Sequence, residues 1–595
     1  MPSIPVNGVE TAVEAGEQNN ELANRVGGEI PQYCYHDGLS IPAQCRICLA
    51  EVWAPNPRND NKLEPMMGGK LLPTCSTDAT DGMVVYADSP KAVANQKAVM
   101  EYLLINHPLD CPVCDQAGEC TLQDFSFKYG RGVSRFEETK VKQPKKDLGP
   151  NVYIYSDRCI MCTRCVRFAR EVPGTAELMI DGRGNRSEID VFPGEPLDNP
   201  LSANVIDLCP VGALLDKDFL FAQRVWFLKS TPTIDGLTSS GDNLWAEHNE
   251  GKIYRLKPRT NMDVNTWWIT DEVRYSWKFV HSDARLTTPM HRRYGTLVET
   301  EWPRAMLDTI DGMRKATESG KRVMIVVSPM LTSEEAYALG TMARAVDEQA
   351  VLAVGPVPVQ GEDRPFNNPR AGKPFTMRAE KAPNARGVRR VLEALSGGDT
   401  TGAEVLDYDQ MLERLGRGSG SSDIGAVFLT SGYSADWAPD ELVGALDGKF
   451  LAVADILSGP LVDRADAVLP TASWLEKSGS FVNADGLIQA FDQAIPTQHE
   501  SKSEGQIAAD MLALLAGGEL DRRPGGYADF IVDEGPGQVP GASDSLVLPR
   551  AALFDASATR TEMGDAHASL RAFVDELRLP PREKKKQTDV EMVEL

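Results

Sequence analysis

Cysteine is missing from most of this chain. All eleven cysteines lie at or before Cys209, and the rest of the 595 residues has none. An odd count concentrated in one region does not suit complete internal pairing, so a disulfide framework is excluded as the general design. Basic charge is also scarce: 62 Lys and Arg stand against 86 Asp and Glu, a formal net charge of -24. Such a surface repels phosphate backbones, which argues against nucleic-acid binding. Long apolar runs are lacking. The longest, such as VMIVVSPML at 323–331, have the length of buried strands and fall short of the roughly 18 to 20 residues that span a bilayer. No G-x-G-x-x-G fingerprint follows a strand and no G-x4-G-K-[ST] loop occurs, so neither NADH nor a nucleoside triphosphate is placed on this chain. The amino terminus, MPSIPVNGVETAVEAGEQ, has neither a basic segment before an apolar core nor an Arg/Ser-rich transit pattern. The expectation is a soluble, cytosolic protein that reaches any membrane by docking.

What is present is an ordinary folded composition, 42% hydrophobic, and enough length for about four domains. Adding His107 to the eleven cysteines makes twelve candidate ligands, three sets of four. The first is Cys34, Cys45, Cys48 and Cys75, at C-x10-C-x2-C-x26-C spacing. Three ligands in one loop with a distant fourth follow the plant-ferredoxin arrangement of a [2Fe–2S] centre; zinc is the alternative. The second is His107, Cys111, Cys114 and Cys120 in INHPLDCPVCDQAGEC, just past a helical pattern that Pro108 helps to end. Spacing alone leaves zinc and an iron–sulfur cluster both open here.

The third set is Cys159, Cys162 and Cys165 in RCIMCTRCVRF, with Cys209 in DLCPVGAL. A C-x2-C-x2-C triplet and a distant Cys-Pro fit the bacterial-ferredoxin pattern. Ala169 stands where a two-cluster ferredoxin would carry its next cysteine, so the triplet serves one [4Fe–4S] centre closed by Cys209. Arg158, Arg164, Arg167 and Arg170 either surround this anionic centre and raise its potential or form a solvated helix face. Three sites within 210 residues suggest a wire for single electrons.

These residues resemble the large iron–sulfur subunit of respiratory complex I, the NADH:quinone oxidoreductase, in its bacterial form. The match runs through PQYCYH, INHPLDCPVCDQAGEC, LQDFSF, RCIMCTRCVRFAREV, DGRGN and NVIDLCPVGAL. By that resemblance Cys34, Cys45, Cys48 and Cys75 hold a [2Fe–2S] cluster. His107, Cys111, Cys114 and Cys120 hold a [4Fe–4S] cluster, as do Cys159, Cys162, Cys165 and Cys209. Later segments, RVWFLKSTPTIDGLTSSGDN, VNTWWITDEVRYSW and RADAVLPTASWLEKSGSFVNADG, are similar to the family's molybdopterin-oxidoreductase-like region. KRVMIVVSPMLTSEEAYALGTMARAV and AVFLTSGYSADWAPDELVGAL read as strand, turn and helix of a parallel α/β fold.

The expected fold is thus α+β ferredoxin-like domains followed by an α/β molybdopterin-oxidoreductase-like domain. The boundaries are 1–90 for the [2Fe–2S] domain, 91–140 for the histidine-containing [4Fe–4S] domain and 141–222 for the all-cysteine [4Fe–4S] domain. The α/β region spans 223–515, with no metal expected, and a loop-rich tail spans 516–595. Some relatives carry a further cluster at the start of the α/β region. Asp235, Thr238 and Asp242 occupy the corresponding positions here, so no cluster is expected there. The stretch VWAPNPRNDNKLEPMMGGK at 52–70 inserts a polar loop suited to docking.

The resemblance implies an electron-transfer subunit of a proton-translocating oxidoreductase, without a substrate site or molybdenum of its own. Its partners would be a flavin-bearing, NADH-oxidising subunit, a ferredoxin-like [4Fe–4S] subunit leading to quinone, and other peripheral-arm subunits. It would sit peripherally on the cytoplasmic side of the bacterial inner membrane. The alternatives are a subunit of an NAD-linked formate dehydrogenase, a subunit of an NAD-reducing hydrogenase, and a zinc-stapled interaction scaffold.

Overall fold

The structure, a computed structural model, describes residues 3–13, 17–25, 29–397, 404–416, 422–435, 437–517, 521–523, 545–547 and 553–580. The chain divides into two compact units. One comprises Met1–Leu228 with two short returns, Thr266–Asp271 and Pro365–Phe375; the other comprises Lys229–Asn265, Glu272–Arg364 and Thr376–Leu595. No helix among the described residues is long and apolar enough to cross a membrane.

The first unit opens on a mixed sheet ordered Val9–Ala12, Ser3–Val6, Val84–Tyr86, Leu49–Asn56 and Lys62–Pro65, with Leu72–Pro73 also paired to Leu49–Asn56. Ile4, Val6, Val52 and Val85 meet Leu22 and Ala23 of the helix Asn19–Arg25 in one apolar core, which also encloses Cys48 and Cys75. The segment expected as a polar loop at 52–70 contains a hairpin: Trp53–Asn56 pairs antiparallel with Lys62–Pro65. Alternating side chains around an Asn-rich turn suit a hairpin, and the polar composition reflects its exposure.

The helix Pro90–Leu104 starts at Ser89, whose hydroxyl accepts from Ala92 N at 3.3 Å, with Pro90 in the first turn where its missing N–H costs nothing. A three-stranded sheet (Leu214–Asp216, Val152–Tyr155, Lys145–Asp147), a hairpin (Leu178–Asp181 with Glu188–Val191) and the helix Arg164–Glu171 carry the rest.

In the second unit a seven-stranded sheet runs in the order Thr296–Glu299, Met290–Arg293, Ala467–Pro470, Phe450–Asp455, Ile424–Thr430, Arg322–Val327 and Val351–Val354. The last five are parallel, and the first two form an antiparallel hairpin at the edge. Parallel strands buried on both faces read as continuous apolar runs, which is why RVMIVV and AVFLT were legible. The helix Ser333–Val346 follows its strand as expected, closed at its start by reciprocal hydrogen bonds between Thr332 and Glu335. A three-stranded antiparallel sheet, Lys229–Ile234, Asn243–Asn249 and Lys252–Pro258, belongs to the same unit.

Of the stretch expected to be loop and tail, 518–520, 524–544, 548–552 and 581–595 lie outside the described residues. Its described part holds the helix Ala556–Ala566, and Met563, Leu570 and Phe573 are buried in the core of the second unit. Those apolar residues are spaced too irregularly to announce themselves.

Candidate iron–sulfur centres of the first unit

All eleven cysteines are free thiols. Cys34, Cys45 and Cys48 lie in the loop between the helix Asn19–Arg25 and the strand Leu49–Asn56. Cys75 lies in a helical turn, Thr74–Ser76, brought alongside by the pairing of Leu72–Pro73 with that strand. The four sulfurs stand close together: Cys34 Sγ is 3.5 Å from Cys45 Sγ, Cys48 Sγ is 3.5 Å from Cys75 Sγ, and the Cys34 and Cys75 thiols interact across the two. Ala43 and Arg46 take positive φ values of 49° and 59° to turn the loop inward, strain that clusters at ligand-holding loops.

His107 follows the helix Pro90–Leu104 by three residues, and Lys140 Nζ donates to Leu104 O and Ile105 O at 2.8 and 2.9 Å to close that helix end. Burial and the nearby Arg158 and Lys140 push the imidazole down to about 4, so it is neutral, the form that ligates iron. Cys111 is exposed, Cys114 is buried, and Cys120 is half-buried immediately before the helix Thr121–Tyr129.

Cys159, Cys162, Cys165 and Cys209 line one small apolar cavity together with Ile154 and Leu214. Met161 and Thr163, between the first three ligands, take φ values of 52° and 62°. Burial pushes the Cys159 thiol up to about 12 and Cys162 to about 11. Thiolates in this apolar cavity need compensating positive charge, which bound iron would supply. Among the described residues no three His, Cys, Asp or Glu side chains crowd the position of a single metal ion. Close sulfurs in the first set and a four-cysteine cavity in the third fit clusters as donor sets.

The three sets are locked to one another by residues that are not candidate ligands. The buried Arg167 guanidinium donates to Cys34 O and Ser40 O, and to Cys162 O at 3.5 Å, so one side chain holds the backbone of the first and third sets. Gln44 Nε2 reinforces this junction by donating to Met161 O at 2.8 Å. Arg158, also buried, donates to Asp110 Oδ2 at 2.9 Å and Gly212 O at 3.4 Å, bridging the second and third sets. Gly212 also lies directly against the second set: a Cβ there would lie 2.2 Å from Cys114 Sγ. Arg164 is half-buried and donates to Leu208 O at 3.3 Å, whereas Arg170 is exposed. The four arginines therefore divide: Arg158 and Arg167 bolt loops of different sets together, Arg164 holds the backbone just before Cys209, and Arg170 faces solvent.

Arg224 and Asp110 were missed from the sequence. Arg224 donates to Cys114 O at 3.0 Å and to Pro112 O, a contact across more than a hundred residues that no local pattern signals. The returns were equally silent. Trp268, on the return Thr266–Asp271, packs 5.0 Å from Phe168 and stacks 5.5 Å from His36.

Asp235, Thr238 and Asp242, in the second unit, are all buried. The Asp235 carboxylate accepts from Leu237 N at 2.9 Å, Thr238 N at 3.1 Å, Ser240 Oγ at 3.0 Å and the Thr238 hydroxyl. Asp235 N donates to Asp242 O at 2.8 Å, closing the loop on itself.

A unit built of a small mixed sheet and cysteine-bearing loops, followed by a parallel α/β unit, defines an iron–sulfur protein with a molybdopterin-oxidoreductase-like body. Family models agree with this class along the chain. Residues 2–90 match a 2Fe-2S iron-sulfur cluster binding domain, and 96–135 the NADH-ubiquinone oxidoreductase-G iron-sulfur binding region. Residues 149–215 match the ferredoxin-like domain of NADH-quinone oxidoreductase subunit 3. The NDSU1/NuoG-like 4Fe-4S domain covers 228–278, a stretch without cysteine here, and molybdopterin oxidoreductase covers 401–513.

The G subunit of the Rickettsia felis NADH-quinone oxidoreductase is 35% identical over 343 residues, 58% of this chain and 49% of the relative. The mitochondrial NADH-ubiquinone oxidoreductase 78 kDa subunit of Neurospora crassa is 37% identical over 349 residues, 58% of this chain and 45% of that one. The chain spans about half the length of the curated relatives it matches. A chain of an NAD+-reducing [NiFe]-hydrogenase aligns with 38% of this chain and 91% of its own, at 24% identity and a TM-score of 0.32. Over a little more than half of its length the chain is thus similar to the G subunit of NADH-quinone oxidoreductases.

Proposed function

We propose that this chain is the electron-relay subunit of an NADH:quinone oxidoreductase. One [2Fe–2S] cluster would be held by Cys34, Cys45, Cys48 and Cys75. Two [4Fe–4S] clusters would be held by His107, Cys111, Cys114 and Cys120, and by Cys159, Cys162, Cys165 and Cys209. When bound, these clusters supply one-electron transfer between a flavin-bearing, NADH-oxidising partner and a ferredoxin-like partner leading to quinone. The chain would work peripherally, on the cytoplasmic side of the membrane.

The observation that carries this reading is a shared core. Cys34 and Cys162 are buried in one apolar cluster with Tyr33 and Phe125, and Cys45, Cys120, Cys159 and Cys209 pack against it. Residues of all three sets thus meet around a single water-excluding body, as a relay requires and separate structural staples do not. The chain's own side chains hold the ligand loops in register through Arg158 and Arg167 and exclude water. We further propose that the closed loop from Asp235 to Asp242 carries no cluster and that the α/β unit carries no molybdenum.

The test is iron, sulfide, zinc and molybdenum analysis of anaerobically purified protein, with low-temperature EPR. About 10 irons per chain are expected from one [2Fe–2S] and two [4Fe–4S] clusters. Stoichiometric zinc with little iron would overturn the reading.

A further inference from the structure

The second unit contains a cavity that the relay does not use. It measures about 330 Å³ and lies between the end of the strand Lys252–Pro258, the strand Ile488–Phe491 and the segment Arg578–Pro580. The last two are joined through backbone: Arg578 N donates to Ile488 O and Ala490 N to Arg578 O, both at 2.9 Å. The cavity is therefore part of the folded body and not a gap beside a loose end.

Arg259 forms its floor. The residue is 6% exposed, and its guanidinium donates to Asn243 Oδ1. Among the described residues its Nε is buried without a partner. Asn243 and Gln489 are occupied with each other, Asn243 Nδ2 donating to Gln489 Oε1 at 2.8 Å, while Gln489 Nε2 donates to Gly241 O at 2.9 Å. They hold the guanidinium in place and leave Nε unsatisfied. The face of Trp245, 5.9 Å away, contributes weak cation–π attraction. Burial alone pushes Arg259 down to about 10, with no carboxylate contributing.

A buried cation without a counter-charge is costly. Among the described residues the lining includes a second guanidinium, Arg578, exposed at the mouth, together with Thr260 and Asn261, and contains no Asp or Glu. Two guanidiniums without an acid suit a dianion, and the planar donors of arginine match phosphoryl oxygens. The volume lies in the range of small-molecule pockets and also admits a smaller phosphoryl ion.

We propose that this cavity binds a phosphoryl-bearing small molecule, with Arg259 at its floor and Arg578 at its mouth. The site is independent of the clusters and of the relay reading. The phosphoryl group is the recognised chemistry, and its source is either free phosphate or a phosphomonoester.

The full chain, purified with its clusters, is titrated calorimetrically with inorganic phosphate, pyrophosphate, adenosine 5′-monophosphate and, as a carboxylate control, citrate. One-to-one binding of a phosphoryl probe is expected, weakened at least tenfold in Arg259→Gln and less in Arg578→Gln. Tighter binding of the monophosphate than of phosphate assigns the source to a phosphomonoester; the reverse assigns it to the free ion. Thermal melting of Arg259→Met supplies a second readout. Removing an unpaired buried charge should raise the melting temperature of the ligand-free protein while abolishing stabilisation by the phosphoryl probe. No binding by any phosphoryl probe, tighter binding of citrate, binding that survives Arg259→Gln, or a destabilised Arg259→Met would each overturn the proposal.

Discussion

In the second unit the strand Arg322–Val327 sends Val323, Ile325 and Val327 into one apolar core, and Met324 and Val326 into another. Its neighbours Ile424–Thr430 and Phe450–Asp455 divide their side chains the same way. In the first unit the twelve candidate ligands sit on loops, single helical turns and helix ends, held by side chains such as Arg167 and Lys140 that donate to backbone carbonyls. Burial of continuous apolar strands stabilises a fold without help. Loops that point thiols inward do not bury enough to order themselves, and they depend on what the thiols bind. On the proposed ligand sets, one chain uses two sources of stability, and each should be removable separately.

The largest separation comes from stripping iron. Structural metal sites contribute on the order of 10 kcal/mol to folding. After anaerobic chelation, hydrogen exchange followed by mass spectrometry should show loss of protection over 30–48, 107–120 and 156–165. Peptides covering 322–327 and 424–430 should keep theirs. Equal loss in both regions would abolish the distinction.

The converse perturbation is Phe428→Ala. Phe428 is fully buried in the sheet of the second unit, and its truncation should cost about 3–5 kcal/mol. The melting transition of the second unit should fall while iron content and EPR signals stay unchanged. Loss of the cluster signals would mean that the two sources of stability are not separable.

How much of this contrast was legible follows from how far each feature reaches along the chain. Ligand spacing is local, so the three candidate sets stand out in the sequence, and parallel strands betray themselves as apolar runs. Arg167 could not be resolved from sequence, because a helix face toward solvent and one toward a ligand loop have the same local pattern. Only the fold places it against Cys34 and Ser40, more than 120 residues away. The returns Thr266–Asp271 and Pro365–Phe375 join the first unit for a similar reason: Trp268 is chosen for what it packs on, not for its neighbours in sequence. The loop at Asp235 shows the limit of counting ligands. Missing cysteines were obvious, but the hydrogen bonds in their place required coordinates.

That loop also gives the second unit a pH dependence of its own. Burial pushes Asp235 up to about 6, against the hydrogen bonds from Thr238, Leu237 and Ser240 and with help from Glu272. Burial and Asp235 push Asp242 up as well, opposed by Ser240 and Arg378. A carboxyl raised in the folded state binds its proton more tightly there than in the unfolded chain. Its contribution is therefore full below the unfolded value of about 4 and lost as pH rises through about 6, ~3 kcal/mol at most for Asp235. The two carboxyls titrate as a pair. The double variant Asp235→Asn/Asp242→Asn should flatten the fall in stability of the second unit between pH 4 and 6, measured by denaturant unfolding. An unchanged slope would show that neither carboxyl holds a proton in the fold.

The smallest expected effect, and the one that sharpens the comparison within the first unit, is His107→Cys. On the proposed ligand set a neutral imidazole stands where the other cubane has a thiolate, so its cluster carries one less negative charge. Less negative charge favours the reduced form, and histidine ligation raises potentials in other iron–sulfur centres. Cysteine retains a ligating atom, so the variant should keep its iron content, its hydrogen-exchange protection and its melting behaviour. Only the midpoint potential of this one cluster should fall, read by EPR-monitored redox titration, with the other two unchanged. His107→Ala supplies the control, since it removes the ligand and should lose or destabilise the cluster. If both variants kept the parent spectrum and midpoint, His107 would not be a ligand. Its place beside Lys140 and Arg158 would then be structural, and Cys111, Cys114 and Cys120 would need a fourth partner from elsewhere.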